Sequence, residues 1–331
     1  MLTICSSYRP FDEPYIKRNY ELLKYLNPNE EWTWLIADNG IAEGSGPLDM
    51  GDDRFTFIEG VPIHSVPHQE VAYRYGAAMH KVLPHVTSRF LLILDPDCYI
   101  VQPRWIETVL RHMETAELSF FGVPWHPNWY RKYRNFPCAQ CMFIDLSRIR
   151  LEDLDFSPKG PAAVGPKDTR ARDFLRPFVP TKLRPLLRDA WKTRFRSGVG
   201  TQPDIGDNIY RQFAGRSHIR YELAAPVFDP AKRRAGYGKV AELFSRALDA
   251  WLPDRLSYVP KRKGYFTTTG FRELGYPDAR SYGWEEYLWR GEPFSFHLRR
   301  SFRGVYDPED EVRLLTQTID DVRALSEHKD R

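Results

Sequence analysis

The sequence has few cysteines and no long hydrophobic run, and each shortage excludes a class of protein. Four cysteines in 331 residues are too few for a disulfide framework, so we expect a reducing, cytoplasmic environment. The apolar run at residues 90–94 (FLLIL) is far shorter than the roughly 20 residues of a membrane-spanning helix. The opening residues MLTIC lack the basic start and apolar stretch of a signal peptide, so we interpret them as a first strand.

The sequence also has little net charge, which argues against a nucleic-acid partner. Lys and Arg number 48 against 44 Asp and Glu, for a formal net charge of +4. Proteins coated with basic charge for nucleic acid usually lean further. The charge is uneven, because residues 156–200 contain eleven Lys and Arg but three Asp, a local +8 that leaves about −4 for the rest. We therefore expect an acidic body and a separate basic segment.

The hydrophobic pattern alternates between strand and helix spacing. We expect strands at residues 2–6, 32–37, 55–58, 90–94, 118–123 and 141–144, with helices at 15–26, 71–83 and 105–113 between them. A helix at 208–213, a strand at 218–224 and a charged helix near 309–327 follow. Strands separated by helices indicate an α/β fold with a mostly parallel central sheet flanked by helices.

Two carboxylates follow directly after the apolar strand at residues 90–94, in the sequence Asp95-Pro96-Asp97. Ligands of open α/β sheets bind just beyond the carboxyl ends of the strands. Hard carboxylate oxygens there suit Mg²⁺ or Mn²⁺ bridged to a substrate diphosphate. The alternative is an ordinary surface turn, because Asp-Pro-Asp is also good turn chemistry.

Three neighbouring segments give this motif a context. Residues 6–10 (SSYRP) end the first strand, residues 34–40 (WLIADNG) contain the second, and residues 68–81 precede the Asp95-Pro96-Asp97 strand as a helix. In this order, over about 100 residues, they resemble the nucleotide-binding half of family-2-like GT-A glycosyltransferases. The resemblance implies a GT-A, Rossmann-like sheet and a nucleotide-sugar site. By resemblance, the nucleotide-sugar would contact Ser6, Tyr8, Arg9, Asp38, Asn39, Arg74 and Asp95.

Later segments extend the resemblance. Residues 121–125 and 140–145 are similar to the acceptor-side strands of the family. Residues 203–207 (PDIGD) are similar to the segment that supplies an acidic general base in inverting members, so the resemblance implies Asp204 or Asp207 as the catalytic base. The family usually has an adjacent Glu-Asp pair there, which leaves the choice between the two open. The strand around His297 resembles one whose histidine joins the metal.

The resemblance implies a metal-dependent, hexosyl-type glycosyltransferase. Asp95, Asp97 and His297 would hold Mn²⁺ or Mg²⁺, which neutralises the departing diphosphate. The donor would be a UDP- or GDP-linked sugar, and the acceptor a hydroxyl of a glycan or lipid-linked glycan, as in polysaccharide biosynthesis, with inversion at the sugar. Residues 1–150 would form the nucleotide-sugar half, 151–200 a basic insertion, and 201–331 the acceptor side and C-terminal extension.

The basic segment mixes cationic and apolar residues at partly helical spacing over residues 172–196. Such a segment can lie on an anionic bilayer. We therefore expect residues 170–197 to contact a membrane surface, which would make this cytoplasmic protein peripheral on the inner face of the membrane. The alternative is a lid over the donor or an oligomer contact.

Two other functions and several local roles compete with these expectations. A sugar nucleotidyltransferase would share the sheet and the acidic site, but usually has a glycine-rich loop that residues 6–10 lack. An inactive membrane-surface protein would not need the pair Asp95 and Asp97. The local alternatives are a turn role for Asp38, a helix cap for Asp204, a solvated charge for Arg74 and a structural role for His297. Glu285 and Glu286 are candidates for acceptor contacts, but a surface pair is favoured for them.

The cysteines have no predicted function. Cys138 and Cys141 form a single C-x-x-C pair without a second pair, so zinc and redox roles are not expected. Cys98, directly behind the two carboxylates, is expected to pack in the core.

Overall fold

The chain folds around two sheets that share one hydrophobic core. The computed structural model describes residues 1–66, 71–127, 136–158, 177, 181, 205–228, 266–298 and 307–329. The strands are β1 (Leu2–Tyr8), β2 (Trp32–Asp38), β3 (Phe55–Glu59), β4 (Phe90–Leu94), β5 (Cys98–Ile100), β6 (Phe120–Gly122), β7 (Cys141–Asp145), β8 (Tyr221–Leu223), β9 (Ala225–Pro226), β10 (Glu285–Trp289) and β11 (Glu292–His297). The helices are α1 (Glu13–Leu26), α2 (Val71–Val82), α3 (Trp105–Thr115), α4 (Asp207–Phe213) and α5 (Pro308–Lys329).

The larger sheet has seven strands in the order β3-β2-β1-β4-β7-β6-β8. The pairs β3–β2, β2–β1, β1–β4 and β6–β8 are parallel, and β7 runs antiparallel to both β4 and β6. The chain runs outward from β1 to β3 and then returns to form β4 on the other side of β1. This reversal between β1 and β4 creates a crevice at their carboxyl ends, where open α/β sheets bind ligands.

The smaller sheet has four strands in the order β5-β11-β10-β9, all antiparallel. Its first strand, β5, begins at Cys98, and three residues separate it from the end of β4. The C-terminal strand β11 pairs with β5 in a register that sets His297 opposite Cys98. The second sheet therefore brings a segment 200 residues downstream to the end of β4.

Side chains near the helix ends join the helices to one another. Asn27, which follows α1, donates its amide to the carbonyl of Leu23 and accepts the backbone N–H of Ile106 in the first turn of α3. The side chain thus satisfies an N–H in the first turn of α3 and adds a second donor to the Leu23 carbonyl, which also accepts the backbone N–H of Asn27. The long helix α5 packs against α1, and Tyr15 donates a 2.7 Å hydrogen bond to Glu311.

The fold class predicted from the sequence is confirmed: the molecule is α/β, with a mostly parallel central sheet flanked by helices. Element bounds differ from the prediction by at most three residues, as at β1, which continues to Tyr8 instead of ending at Ser6. The sequence did not predict β5, because three residues are too few for an alternating pattern to stand out. Within the described ranges, no helix is both long and apolar enough to cross a bilayer.

Gly122, the last residue of β6, is expected to tolerate no side chain. A Cβ atom built there would lie 2.1 Å from the carbonyl oxygen of Cys141 on β7. Because that oxygen is backbone in a paired strand, it cannot move away alone. We expect Gly122→Ala to lower the free energy of unfolding by about 3 kcal/mol, the upper part of the usual overpacking range.

Thermal unfolding checks this expectation. Gly215→Ala is the matched control, because nothing lies within 4 Å of a Cβ atom at Gly215. A melting temperature for Gly122→Ala equal to that of the control would contradict the tight approach of β6 and β7.

Candidate metal and nucleotide site

Asp95, Asp97 and His297 come together at the carboxyl end of β4. Strand β4 ends at Leu94, and the turn that follows is closed by the N–H of Cys98 donating to the carbonyl of Asp95 at 3.0 Å. The pairing of β5 with β11 continues past the strands, since the N–H of Leu298 donates to the carbonyl of Asp97 at 3.0 Å. Backbone pairing therefore brings residue 297 beside the two carboxylates.

The three side chains form a compact set of metal-ligand atoms. Nε2 of His297 lies 3.3 Å from Oδ1 of Asp97 and 4.0 Å from Oδ2 of Asp95. One ligand atom from each residue falls within 4.8 Å of the others. His297 is buried, whereas both carboxylates are partly exposed at the surface of the crevice. Two hard oxygen ligands and one imidazole fit Mn²⁺ well and Mg²⁺ less well, with room left for substrate oxygens.

Asp95 has a neighbour that sequence reasoning missed, Tyr75 on α2. Burial is the main cause that raises the pKa of the Tyr75 phenol, and the charge and hydrogen bonding of Asp95 add to it. Tyr75 also donates a long 3.4 Å hydrogen bond to the carbonyl of Ala139. Tyr75 could have been found from its place on the helix predicted to contact the nucleotide-sugar. The residue predicted from that helix was Arg74, its neighbour.

Ser6 lies in the interior of the sheet. Its hydroxyl donates to the carbonyl of Leu94 at 2.6 Å and accepts from the indole N–H of Trp34 at 3.0 Å. The side chain is fully buried. Ser6 therefore links β1 to the residue that precedes Asp95, and its contact with a nucleotide-sugar stays a prediction.

Tyr8 and Arg9 end β1 and begin the loop beside the crevice. Burial, followed by the nearby charges of Glu13, Asp38 and Asp12, raises the pKa of the Tyr8 phenol. Arg9 holds Asp12 with a 3.1 Å ion pair and keeps about a quarter of its side chain exposed. Of the two side chains, that of Arg9 is charged and remains partly exposed to solvent.

Asp38 and Asn39 organise the turn after β2. Asp38 is fully buried, and its carboxylate accepts the backbone N–H groups of Gly40 at 2.8 Å, Ile41 at 3.2 Å and Leu48 at 3.3 Å. Asn39 ties that turn to β1, because its amide donates to the carbonyl of Tyr8 at 2.9 Å. The turn role weighed for Asp38 is thus present, and a contact of Asp38 with the base stays a prediction.

Arg74 is buried, so the solvated charge weighed for it is excluded. Its guanidinium donates to the carbonyls of Val61 at 2.7 Å and Asn39 at 3.0 Å, and pairs with Glu43 at 2.7 Å. Burial lowers the pKa of the Arg74 guanidinium, and the charge of Arg9 acts in the same direction. Arg74 therefore joins α2 to the segments that follow β2 and β3.

The proposed base segment is described only in part. Asp204 lies outside the described residues. Asp207 begins α4, is buried, and pairs with Arg211 one turn later at 2.5 Å. It is not among the three residues of the metal-ligand cluster. An acceptor hydroxyl would have to compete with Arg211 for this carboxylate.

Glu285 and Glu286 correct an expectation, because the surface pair favoured for them is wrong. Both carboxylates are buried, on a strand whose five residues are all buried. Glu286 accepts the N–H groups of Phe271 at 2.9 Å and Arg280 at 3.1 Å and pairs with the Arg280 guanidinium. Burial nevertheless raises the pKa of Glu286. Glu285 instead faces His297, its register partner on β11.

The cysteines and the basic segment complete the comparison with the sequence. All four cysteines are free and buried, and burial is the main cause that raises the pKa of Cys98. Residues 170–197 lie outside the described residues except for 177 and 181, so their expected membrane contact stays a prediction.

Comparison with known proteins finds a remote likeness to solved glycosyltransferase structures. No protein-family model matches the chain, and no curated protein sequence matches it. Among solved structures, an active-site mutant of LgtC is 14% identical, with 66% of this chain and 72% of that chain covered and a TM-score of 0.39. The mannosyltransferase PcManGT from Pyrobaculum calidifontis, in complex with GDP-Man and Mn²⁺, is 12% identical over 45% of this chain and 46% of that chain, with a TM-score of 0.32.

A third structure, S. aureus TarS in complex with UDP, is 12% identical over 47% of this chain and 49% of that chain, with a TM-score of 0.31. The likeness is thus low in identity and partial in extent, so the function proposed below rests on this chain's own side chains.

Proposed function

We propose that this chain is a metal-dependent glycosyltransferase that moves a sugar from a nucleoside-diphosphate donor to a hydroxyl acceptor. The observation that carries the proposal is the cluster of Asp95, Asp97 and His297 in the crevice between β1 and β4. A carboxylate pair with an imidazole at this point of the sheet is suited to a cation that also binds a diphosphate. A bound Mn²⁺ or Mg²⁺ would supply positive charge that stabilises the departing diphosphate.

The chain's own residues would perform the remaining steps. Asp95, Asp97 and His297 would hold the cation. Asp95, the more exposed of the two carboxylates, would face the donor. Arg9 would contact the nucleotide, because its guanidinium is partly open to solvent beside the crevice. Tyr8 and the turn of Asp38 and Asn39 would shape the pocket for the base.

Inversion requires a base that accepts the proton of the acceptor hydroxyl. We propose Asp204 or Asp207 for this role. Residues 1–150 would then supply the donor side and residues 201–331 the acceptor side, with 151–200 as a basic insertion. The donor would be a UDP- or GDP-sugar, and the acceptor a glycan or lipid-linked glycan.

We further propose that residues 170–197 hold the protein at the inner face of an anionic membrane. The support is their net positive charge with interleaved apolar residues. Flotation with vesicles containing anionic lipid tests this, and equal flotation of the chain without residues 170–197 would contradict it.

A donor screen tests the proposed reaction. The full-length protein is incubated with UDP- and GDP-linked hexoses in Mn²⁺, and release of UDP or GDP is measured with and without a panel of glycan and lipid-linked acceptors. We expect release from one donor, stimulated by an acceptor and lost in EDTA. Formation of a nucleotide-sugar and pyrophosphate from a nucleoside triphosphate and a sugar 1-phosphate would instead assign the site to nucleotidyl transfer.

A further inference from the structure

A series of buried, hydrogen-bonded side chains contacts the Nδ1 side of His297. Nδ1 of His297 lies 3.3 Å from Oε2 of Glu285, its partner in the β10–β11 register. The same oxygen accepts the hydroxyl of Tyr287 at 3.1 Å, and that hydroxyl accepts the amide of Gln140 at 2.8 Å. All four side chains are at most 4% exposed. Buried polar side chains lower the stability of the fold unless each is hydrogen-bonded. These hydrogen bonds therefore fix the positions of the four side chains.

The hydrogen-bonded side chains behind His297 are also connected to Asp95, through Gln140. Gln140, whose side chain donates to Tyr287, accepts the backbone N–H of Asp95 on its own carbonyl at 2.9 Å. The path from Asp95 through Gln140, Tyr287 and Glu285 therefore ends on the imidazole that faces Asp97. Both sides of the ligand cluster are attached to the same buried framework.

The two nitrogens of His297 face different carboxylates, Nδ1 that of Glu285 and Nε2 that of Asp97, each at 3.3 Å. An ionised carboxylate only accepts hydrogen bonds, so a hydrogen bond between Nδ1 and an ionised Glu285 requires the proton on Nδ1. In the neutral ring this leaves the lone pair on Nε2, the atom that lies 3.3 Å from Asp97. Histidines that bind metals are commonly oriented in this way by a carboxylate on the second nitrogen.

We propose that Glu285 is a positioning residue that holds His297 in the orientation and tautomer needed to bind the divalent cation, with Tyr287 and Gln140 fixing Glu285 in turn. This rests on the metal site of the proposed function. Glu285 lies on the Nδ1 side of the imidazole, away from the Nε2 that faces Asp97, and would act on the cation through His297. Outer carboxylates of this kind typically change metal affinity 10- to 100-fold when removed.

Mn²⁺ binding by the full-length protein tests the proposal independently of catalysis. The signal of free Mn²⁺ in electron paramagnetic resonance gives the affinity of each variant. We expect Glu285→Gln to weaken Mn²⁺ binding about 10-fold or more, and Tyr287→Phe to weaken it less, because Glu285 then keeps its contact with His297. Glu286→Gln is the matched control, since this neighbouring buried carboxylate contacts Phe271 and Arg280 instead of the histidine.

The control separates positioning from a general effect on folding. Glu286→Gln is expected to change the melting temperature but to keep the Mn²⁺ affinity of the original chain. Loss of affinity in Glu286→Gln equal to that in Glu285→Gln would overturn the proposal, because the effect would then follow stability. Wild-type affinity in Glu285→Gln would also overturn it.

His297→Ala separates this proposal from the proposed function. If His297→Ala weakens Mn²⁺ binding and Glu285→Gln does not, the metal site stands and the positioning role of Glu285 is wrong. If His297→Ala and Asp97→Asn both bind Mn²⁺ as the original chain does, the metal site itself is wrong.

Discussion

Replacing Asp97 with asparagine is expected to lower Mn²⁺-dependent sugar transfer about 1000-fold or more. Asp97 lies 3.3 Å from Nε2 of His297 and provides one of the two carboxylates of the cluster. Asparagine keeps the shape of the side chain but removes the negative charge that attracts a divalent cation. A loss of several kcal/mol of transition-state stabilisation corresponds to about three powers of ten in rate.

Steady-state transfer of the sugar identified in the donor screen measures this effect. Asp310→Asn, an exposed carboxylate on α5 paired with Arg313, is the matched control and is expected to keep full activity. The melting temperature of Asp97→Asn should stay near that of the original chain, because Asp97 is partly exposed. Unchanged turnover in Asp97→Asn would show that the reaction takes place elsewhere.

Replacing Arg74 with methionine is expected to have the largest effect on stability at the site. The variant leaves the carbonyls of Val61 and Asn39 and the carboxylate of Glu43 without the guanidinium that contacts them. Each buried acceptor left unsatisfied costs about 1–3 kcal/mol, so we expect a loss of about 3 kcal/mol or more in the free energy of unfolding. Because these groups lie after β2 and β3, the KM for the donor should also rise.

Two further variants show whether the loss of stability in Arg74→Met comes from the contacts of the guanidinium group. Arg74→Lys keeps the charge, but one ammonium cannot span the three acceptors, so it should recover little of the stability. Arg18→Met, which removes a surface ion pair with Glu21, should cost about 1 kcal/mol or less. A melting temperature for Arg74→Met equal to that of Arg18→Met would contradict the structural role of Arg74.

Some of the site could be predicted from the sequence because it depends on short-range patterns. The buried strand at residues 90–94 ends in a pair of carboxylates, and in an α/β sheet the end of such a strand lies at the ligand-binding edge. His297 entered only by resemblance to a family. Nothing local shows that β11 pairs with β5, since that pairing joins segments 200 residues apart.

The errors have a common physical cause. Glu285 and Glu286 were expected at the surface because adjacent carboxylates usually require water. In the structure both faces of β10 are covered, and each carboxylate is satisfied by a partner outside that strand, Glu286 by Arg280 and Glu285 by His297. Arg74 was likewise weighed as a solvated charge, although the carbonyls of two loops surround it. Such partners appear only once the tertiary structure has formed.

The most direct test of the metal-assisted donor site is calorimetric titration of the full-length protein with UDP and GDP, in Mn²⁺ and in EDTA. Because Asp95, Asp97 and His297 would hold the cation that meets the diphosphate, one nucleotide should bind in Mn²⁺ at least about 10-fold more tightly than in EDTA. This difference should vanish in Asp97→Asn. Binding of neither nucleotide in Mn²⁺, or binding that is equally tight in EDTA, would contradict the account.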